Sequence, residues 1–262
     1  MSPASSTVPR PTVALFVTCL VDLFRPSVGF ATAQLLEQAG YTVDAPEAQT
    51  CCGQPAYNSG DRAHARDIAK QVIVTFRDYV YVVVPSGSCA GTITAHYPDL
   101  LRDEPDWAQA ARELANRTWE LTRFLVEVAQ VELAAVEHEA TTTYHDSCSG
   151  LRELGIRSQP RQLLGRVQGL QLREMADTDV CCGFGGTFCV KYPDISERLV
   201  SNKVDNIAAT GADMVVAGDL GCLFNIAGRL HRLDKPVQAY HVAEVLAGTA
   251  RSEPAIGEGE RS

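Results

Sequence analysis

The stretch Val180-Cys-Cys-Gly-Phe-Gly-Gly-Thr-Phe-Cys-Val-Lys191 contains two adjacent cysteines followed by a glycine. A second stretch of this kind, Thr50-Cys-Cys-Gly-Gln-Pro-Ala56, lies earlier in the chain. Core packing does not explain such a repeat, because a buried free cysteine acts only as a small hydrophobe and other small apolar residues could replace it. We therefore interpret the two motifs as metal-ligand segments.

Eight of the nine cysteines form two sets with similar spacing. The first set is Cys19, Cys51, Cys52 and Cys89, and the second set is Cys148, Cys181, Cys182 and Cys222. The gaps before the adjacent pair are 32 and 33 residues, and the gaps after it are 37 and 40 residues. This repetition predicts an internal duplication with two halves related by a pseudo-twofold axis. Cys189 has no counterpart, and it is interpreted as a buried hydrophobe, a spare ligand or a redox-active thiol.

Composition excludes several classes of protein. The formal net charge of -9 argues against nucleic acid or an anionic membrane surface as the main partner. No apolar run reaches the roughly 18 residues that a transmembrane helix needs. The apolar run at residues 13–21 has no small-residue cleavage site and is interpreted as a buried strand. These features predict a cytoplasmic protein, where clustered thiols stay reduced.

Short apolar or β-branched runs precede the cysteines in both halves, which is typical of strands buried in a parallel sheet. Strands are predicted at residues 11–18, 41–43, 79–84, 141–145, 170–172 and 211–216. Helices are predicted at about 26–39, 61–76, 160–167 and 193–208, within 96–129, and at 240–246. The fold class is therefore α/β, with each half a small, mainly parallel sheet flanked by helices and with cysteines at the C-terminal ends of the strands.

The same patterns divide the chain into four parts. Residues 1–11 are predicted to be a disordered lead, and residues 249–262 a flexible tail. Residues 12–135 and 136–248 are predicted to be the first and second cysteine-rich halves.

Ligands of open α/β sheets bind beyond the carboxyl ends of the strands, so each half can bring four thiolates to one place. Four cysteines can hold an iron–sulfur cluster or a structural zinc ion. Neither set contains the C-x-x-C pair typical of zinc sites, which favours iron–sulfur and leaves zinc as the alternative.

Four glycines of the two motifs are candidate cofactor-binding residues. They are Gly53, Gly183, Gly185 and Gly186. Glycine allows the backbone to approach a bulky cluster and to direct N–H groups at its sulfurs. The alternative is that the Gly-Phe-Gly-Gly segment is only a flexible turn.

Four motifs carry a resemblance to a known family. They are Cys51-Cys-Gly-Gln-Pro-Ala-Tyr-Asn58, Pro85-Ser-Gly-Ser-Cys89, Cys181-Cys-Gly-Phe-Gly-Gly-Thr-Phe188 and Gly221-Cys-Leu-Phe-Asn-Ile226. In them the chain resembles the lactate utilization protein A family and, more widely, the cysteine-rich domains of glycolate oxidase iron–sulfur subunits and of heterodisulfide reductases. The resemblance implies an iron–sulfur subunit of a complex that oxidises L-lactate to pyruvate. Its implied partners are a ferredoxin-like iron–sulfur protein and a third subunit.

The chain departs from the wider family at one position in each half. That family ends each cysteine set with C-x-x-C, whereas this chain has Ser86 and Asp219 at the earlier position. Five thiolates per half are therefore not available, and we expect one or two four-cysteine clusters per chain, of the 4Fe–4S type. Disulfide-reductase chemistry becomes doubtful, and Asp219 is a candidate oxygen ligand of the second site.

The sequence identifies no catalytic residue. His145, Asp146 and Arg25 lie beside the cysteines and are candidates for contacting a small 2-hydroxy-acid substrate, although a strand-end histidine is more often structural. Two alternative functions stay open. One is an iron–sulfur subunit acting on glycolate or a disulfide, and the other is a non-catalytic iron–sulfur or zinc protein used as a redox sensor or scaffold.

Overall fold

The computed structural model of the chain describes residues 11–130 and 134–258. Apart from Pro11, the predicted disordered lead lies outside the described residues, as do the last four residues of the predicted tail.

Two four-stranded sheets, one in each half, form the centre of the fold. The strands are β1 Thr12–Leu15, β2 Thr42–Asp44, β3 Tyr81–Val84, β4 Thr118–Glu120, β5 Glu137–His145, β6 Gln168–Leu172, β7 Met214–Ala217 and β8 Gln238–His241. Their order is β2-β1-β3-β4 in the first sheet and β6-β5-β7-β8 in the second, and all pairs are parallel. Strands β3 and β7 are almost entirely buried, because helices cover both faces of the sheets.

Helices connect the strands and flank the sheets. In the first half they are α1 Cys19–Phe24, α2 Pro26–Gln38, α3 Gln54–Asn58, α4 Arg62–Phe76, α5 Gly87–Gly91, α6 Tyr97–Leu100, α7 Pro105–Arg117 and α8 Leu121–Arg123. The π-helical segments Thr92–His96 and Phe124–Ala129 follow α5 and α8 directly. In the second half they are α9 Cys148–Arg152, α10 Ser158–Leu164, α11 Phe188–Lys191, α12 Pro193–Ala209, α13 Leu220–Arg232 and α14 Val242–Ala247.

The predicted α/β class with two repeated halves is confirmed, but each sheet has one strand more than the predicted three. Residues 118–120 lie within the range 96–129, for which only helices with breaks are predicted, and they form β4, which pairs with β3. Residues 240 and 241 were expected to begin a helix and instead end β8, which pairs with β7. Both are short edge strands, so their conformation comes from a neighbouring strand rather than from a local apolar pattern.

The halves pack together through two helix pairs, each with one helix from either half. Helix α14 of the second half packs on α2 of the first, and α8 of the first half packs on α10 of the second. At the first contact, Arg25 Nε and Ser27 Oγ each donate to Glu244 Oε1 at 2.7 Å. At the second contact, Gln159 Nε2 donates to Glu127 Oε1 at 2.7 Å. Such paired contacts are what a pseudo-twofold relation between the halves produces.

The hydrophobic core also crosses the boundary between the halves. One cluster of buried residues combines Val13 and Leu35 of the first half with Val204, Val216 and other residues of the second. A second cluster, which includes Phe16 and Phe76, lies within the first half. The two halves therefore form one folded unit.

The end of the described chain differs from the predicted flexible tail. Residues Thr249–Arg251 form a 3₁₀ turn, and the side chains of Ala255 and Ile256 are buried. The Ile256 amide donates to the carbonyl oxygen of Ala239 in β8 at 2.9 Å. Residues 249–256 thus pack on the second half, because two apolar side chains and an edge-strand hydrogen bond hold them there.

Within residues 11–130 and 134–258, no helix is both long enough and apolar enough to cross a lipid bilayer.

Candidate metal centres

The topology of each sheet brings its cysteine-bearing segments together. In the first sheet the chain moves from β1 outward to β2 and then back across to β3, so β1 and β3 flank the point where the strand order reverses. Ligands of open α/β sheets bind beyond the carboxyl ends of the strands at such a point. Cys19 begins the helix that follows β1, and Cys89 lies in the helix that follows β3. Cys51 and Cys52 lie in the loop after β2.

The four thiols of the first set converge. Cys19 Sγ lies 3.6 Å from Cys51 Sγ, and Cys52 Sγ lies 3.3 Å from Cys89 Sγ. The thiols of Cys51 and Cys52 also interact, which joins the two pairs into one cluster. Cys52 and Cys89 are buried, whereas Cys19 and Cys51 are half-buried. The set therefore has one pair inside the protein and one pair towards solvent.

The second set repeats this arrangement. The Cys181 thiol interacts with those of Cys148 and Cys182, and the Cys182 thiol interacts with that of Cys222. Cys182 and Cys222 are buried, and Cys148 and Cys181 are half-buried. All eight predicted ligands are thus brought into two groups of four, one in each half.

Each set stabilises one thiolate. Hydrogen bonds from Cys19 and then Cys52 lower the pKa of the Cys51 thiol to about 3. In the second half, hydrogen bonds from Cys148 and then Cys182 lower the pKa of the Cys181 thiol to about 2. Each centre therefore contains a thiolate near neutral pH, which is the form that binds metal.

The helices of one centre contact the helices of the other. Helix α5, which carries Cys89, packs on α9, which carries Cys148. Helix α1, which carries Cys19, packs on α13, which carries Cys222. The two cysteine sets therefore lie on either side of one interface.

The predicted cofactor-binding glycines shape the two loops. Gly53 and Gly183 have φ of +79° and +87°, in the left-handed region that favours glycine. The Gly183 amide donates to Cys181 Sγ at 3.3 Å, and Gly53 makes the corresponding backbone hydrogen bond to Cys51. A Cβ atom on Gly186 would lie 3.2 Å from Asn58 Nδ2 of the first half, so the second loop reaches the first.

Gly185 also has a positive φ, of +53°, and a Cβ atom there would lie 2.7 Å from Cβ of Phe188. A side chain at Gly185 would therefore clash within the turn.

The residues present fit a thiolate-bound metal group. Each site offers four cysteine sulfurs from three chain segments, together with backbone N–H groups directed at a sulfur. This donor set suits an iron–sulfur cluster, and it also suits a tetrahedral zinc ion. The lowered pKa of Cys51 and of Cys181 means that both thiols are already deprotonated in the metal-free protein.

His145, considered from sequence only as a substrate contact, lies within the second cysteine set. One of its ring nitrogens and the sulfurs of Cys182 and Cys222 all lie within 4.8 Å of one another. Burial, and then the positive charge of Lys203, lower the pKa of His145 to about 3, so the imidazole is neutral. The available sequence signal was its position three residues before Cys148. The first half has Phe16 three residues before Cys19.

Asp219, considered above as an oxygen ligand, instead links the two halves. Its Oδ1 accepts a hydrogen bond from the Gly221 amide at 3.1 Å and caps α13. Its Oδ2 accepts from the Ser88 amide at 2.9 Å and from Ser86 Oγ at 3.2 Å. Ser86 in turn caps α5. The two residues that replace the family cysteines therefore contact each other across the interface.

Arg25 and Asp146, the other candidate substrate contacts, are held in ion pairs. Arg25 binds the buried carboxylate of Glu244. Asp146 accepts from Arg161 Nη1 and Nη2, both at 2.9 Å. The structure does not bring these side chains together into a substrate-binding group.

Cys189 lies apart from the thiol contacts of the second set. Its thiol donates to the carbonyl oxygen of Gly186 at 3.8 Å. The side chain borders a cavity of about 380 Å³ between α12 and α13, which Asn225 and Arg229 also line.

A second cavity, of about 390 Å³, borders Cys19 and Cys51. It also contains the acidic side chains of Asp22 and Glu47. The half-buried pair of the first set therefore faces an open and acidic space.

The duplicated fold and its two groups of four thiols define a cysteine-rich α/β protein. The profile of the cysteine-rich CCG domain family agrees, matching residues 13–94 and 142–227, one segment in each half. The chain is 51% identical over 234 residues to lactate utilization protein A of Bacillus subtilis, covering 89% of this chain and 98% of that protein. The corresponding Bacillus cytotoxicus protein is 49% identical with the same coverage. The chain belongs to the lactate utilization protein A family.

Among solved structures, a hypothetical protein from Helicobacter pylori has a similar fold. The TM-score is 0.65 at 13% sequence identity, over 97% of this chain and 50% of that one. This chain thus spans about half of the Helicobacter protein, and the likeness concerns the fold alone.

Proposed function

We propose that this chain is an iron–sulfur subunit of a complex that oxidises L-lactate to pyruvate. The observation that carries the proposal is the convergence of four thiols in each half. About half of the residues are identical to those of proteins named lactate utilization protein A, and we propose lactate as the substrate on this basis. We further propose a cytoplasmic location and, as partners, a ferredoxin-like iron–sulfur protein and a third subunit.

In this proposal the eight cysteines hold two clusters of the 4Fe–4S type. A bound cluster of this kind transfers single electrons. The protein contributes thiolates that hold the cluster and N–H groups of Gly53 and Gly183 that stabilise negative charge on the sulfurs. The buried pair of each set excludes water from the inner side of the centre, while the half-buried pair faces the exterior.

The acidic cavity beside Cys19 and Cys51 bears on where lactate binds. Carboxylates of Asp22 and Glu47 repel the carboxylate of a 2-hydroxy acid at short range. We therefore place the oxidation of lactate away from this cavity, and we assign to the half-buried pair the exchange of electrons with a partner.

The first experiment is the iron, acid-labile sulfide and zinc content of protein purified without oxygen, with the EPR spectrum before and after reduction. Two 4Fe–4S clusters require about eight iron and eight sulfide per chain. The assembled complex should then lose its visible cluster absorbance when L-lactate is added. A panel with glycolate and a disulfide in place of lactate distinguishes the related oxidoreductase functions.

Zinc is the second candidate, and a specific observation favours it. The sulfur pairs of the first set are 3.6 and 3.3 Å apart. Four sulfurs at about 2.3 Å from one tetrahedral zinc ion are about 3.8 Å apart, which is close to these distances. Bound zinc with no iron would contradict the proposed electron-transfer function and would favour a structural or redox-sensing protein.

A further inference from the structure

His145 is a buried histidine whose ring has no hydrogen-bonding partner among the described residues. Its exposed fraction is 0%, and neither Nδ1 nor Nε2 has a hydrogen bond to any of them. Leaving a buried polar group unpaired costs stability, because the group loses its hydrogen bonds to water and gains none in return. Such a group in a native protein requires an explanation, and an ion is one of the few that apply.

The surroundings of the ring supply that explanation. One ring nitrogen of His145 and the sulfurs of Cys182 and Cys222 lie within 4.8 Å of one another, although no hydrogen bond joins the ring to either thiol. A metal ion bonds to a thiolate at about 2.3 Å and to an imidazole nitrogen at about 2.0–2.1 Å. Three donor atoms at this mutual distance can therefore converge on one metal ion.

The nearby cation does not provide an alternative partner. Lys203 is buried close to the second set, but its Nζ donates to the backbone carbonyl oxygens of Asp177 and Thr178. The imidazole of His145 therefore stays available to the metal centre.

The duplicated half shows that the fold does not need an imidazole at this position. Phe16, three residues before the first cysteine of its set, is fully buried and packs against Phe76 with ring centroids 5.3 Å apart. An apolar ring therefore occupies the equivalent strand end without any unpaired polar atom. The histidine of the second half carries a cost that its counterpart avoids.

We propose that His145 binds the metal centre of the second half through one ring nitrogen. The second centre then has mixed sulfur and nitrogen ligation, whereas the first has sulfur alone. This proposal rests on the proposed function for the identity of the metal group, but it requires only that the second cysteine set bind a metal. If both centres are iron–sulfur clusters, His145 takes the place of one of the four thiolates that the proposed function assigns to the second cluster. That centre then has the higher reduction potential, because replacing thiolate by histidine ligation raises the potential.

The decisive experiment uses protein in which the histidine rings carry ¹⁵N. In the reduced, iron-loaded protein we expect pulsed EPR to detect a hyperfine coupling from a directly bound imidazole nitrogen. The coupling should disappear in His145→Phe, which copies the first half, and it should appear at the first centre in Phe16→His. His145→Gln replaces His145→Phe if the phenyl ring prevents folding, as judged by circular dichroism.

A parallel arm separates this inference from the proposed function. The same labelled protein, stripped of metal, is titrated with Cd²⁺ alone, and the ¹⁵N chemical shift of the His145 ring is followed by NMR. A large shift at one ring nitrogen supports the proposal even if the purified protein contains no iron, in which case only the proposed function fails. Ring signals of His145 that do not respond to either metal, or a hyperfine coupling that survives in His145→Phe, would overturn the proposal.

Discussion

The two halves share their strand order, cysteine positions and loop geometry, but they differ beside the centres and at the interface. Phe16 packs behind the first set, whereas His145 lies within the second. Ser86 caps the helix of Cys89, whereas Asp219 caps the helix of Cys222 and also reaches across to the first half. Duplication has preserved the scaffold that brings four thiols together, while the surrounding side chains have diverged. The difference predicts two centres with different properties.

A third difference lies where the fourth strand of each sheet ends. Glu120 of β4 lies in register with Val84 of β3, and His241 of β8 lies in register with Ala217 of β7. Glu120 and His241 each cap the helix that follows, α8 or α14, and each is buried. Equivalent positions therefore hold an acid in one half and a base in the other.

The largest expected effect comes from removing one buried thiol in each half. Cys52→Ser should abolish metal binding in the first half and leave the second half loaded, and Cys182→Ser should do the reverse, because each set converges independently. Metal analysis should find about half of the wild-type content in each variant. Cys189→Ser is the control and should retain full content, since its thiol donates to a backbone carbonyl oxygen rather than to another thiol. Loss of all metal in either single variant would contradict two independent centres.

The next effect concerns the ion pair between the halves. Arg25→Met leaves the fully buried carboxylate of Glu244 without its charged partner. Breaking a buried pair in this way costs about 3–5 kcal/mol, so the free energy of unfolding of the metal-free protein should fall by that order in urea titrations.

Gln159→Ala removes the contact at the corresponding place on the other side of the interface, where Gln159 binds the partly exposed Glu127. Its cost should be about 1–3 kcal/mol, because the side chain's hydrogen bond to Glu127 and the one that it accepts from the Arg157 amide are both lost. Equal costs for the two variants would show that the two contacts contribute alike.

Glu120, which caps α8, should make the free energy of unfolding depend on pH. Burial raises the pKa of Glu120 from 4.5 to about 7. The folded protein therefore binds this proton more tightly than the unfolded chain, and stability is lost as pH rises from about 4.5 to about 7. The loss amounts to about 3 kcal/mol at 1.36 kcal/mol per pKa unit. Urea titrations of metal-free Glu120→Gln across this range should lack that loss.

His241, which caps α14, should change the free energy of unfolding with pH in the opposite direction. Burial lowers the pKa of His241, so the unfolded chain binds that proton more tightly and stability is lost as pH falls below the ordinary value of about 6.5. His241→Gln should reduce the acid-side loss, while the part due to buried His145 and the Glu120 dependence stay in place. A variant with both substitutions that still shows the full pH dependence would contradict these assignments.

A last comparison concerns the glycines after the adjacent cysteines. A Cβ atom on Gly183 would lie 2.7 Å from the carbonyl oxygen of Ser196, whereas one on Gly53 would lie 3.2 Å from Ile68 Cγ2, a side-chain atom that can move. Both positions have a positive φ. Gly53→Ala should therefore cost about 1 kcal/mol, and Gly183→Ala about 2–3 kcal/mol, in urea titrations of the metal-free protein. A larger cost for Gly53→Ala would mean that the first loop is the more rigid one.

The sequence predicted the parts of the fold that have a strong local pattern. The buried run at 81–84 and the amphipathic helices that became α4 and α12 belong to this class, because hydrophobic periodicity is a local property of the sequence. Strand β4, of three residues, was missed because a short edge strand is specified by the strand beside it. The packed residues 249–256 were missed because their two buried side chains are too few to form a pattern.

Sequence alone determined the family, the duplication and the eight cysteines, because adjacent cysteines at repeated spacings can be recognised without any knowledge of the structure. Only the tertiary structure decided which side chains lie beside those cysteines. Asp219 was a candidate ligand until its carboxylate was found to bind Ser86 and Ser88 across the interface. His145 was a candidate substrate contact until its unpaired ring was found beside Cys182 and Cys222. Burial and distance between segments far apart in the chain decide such roles, and neither quantity is local in the sequence.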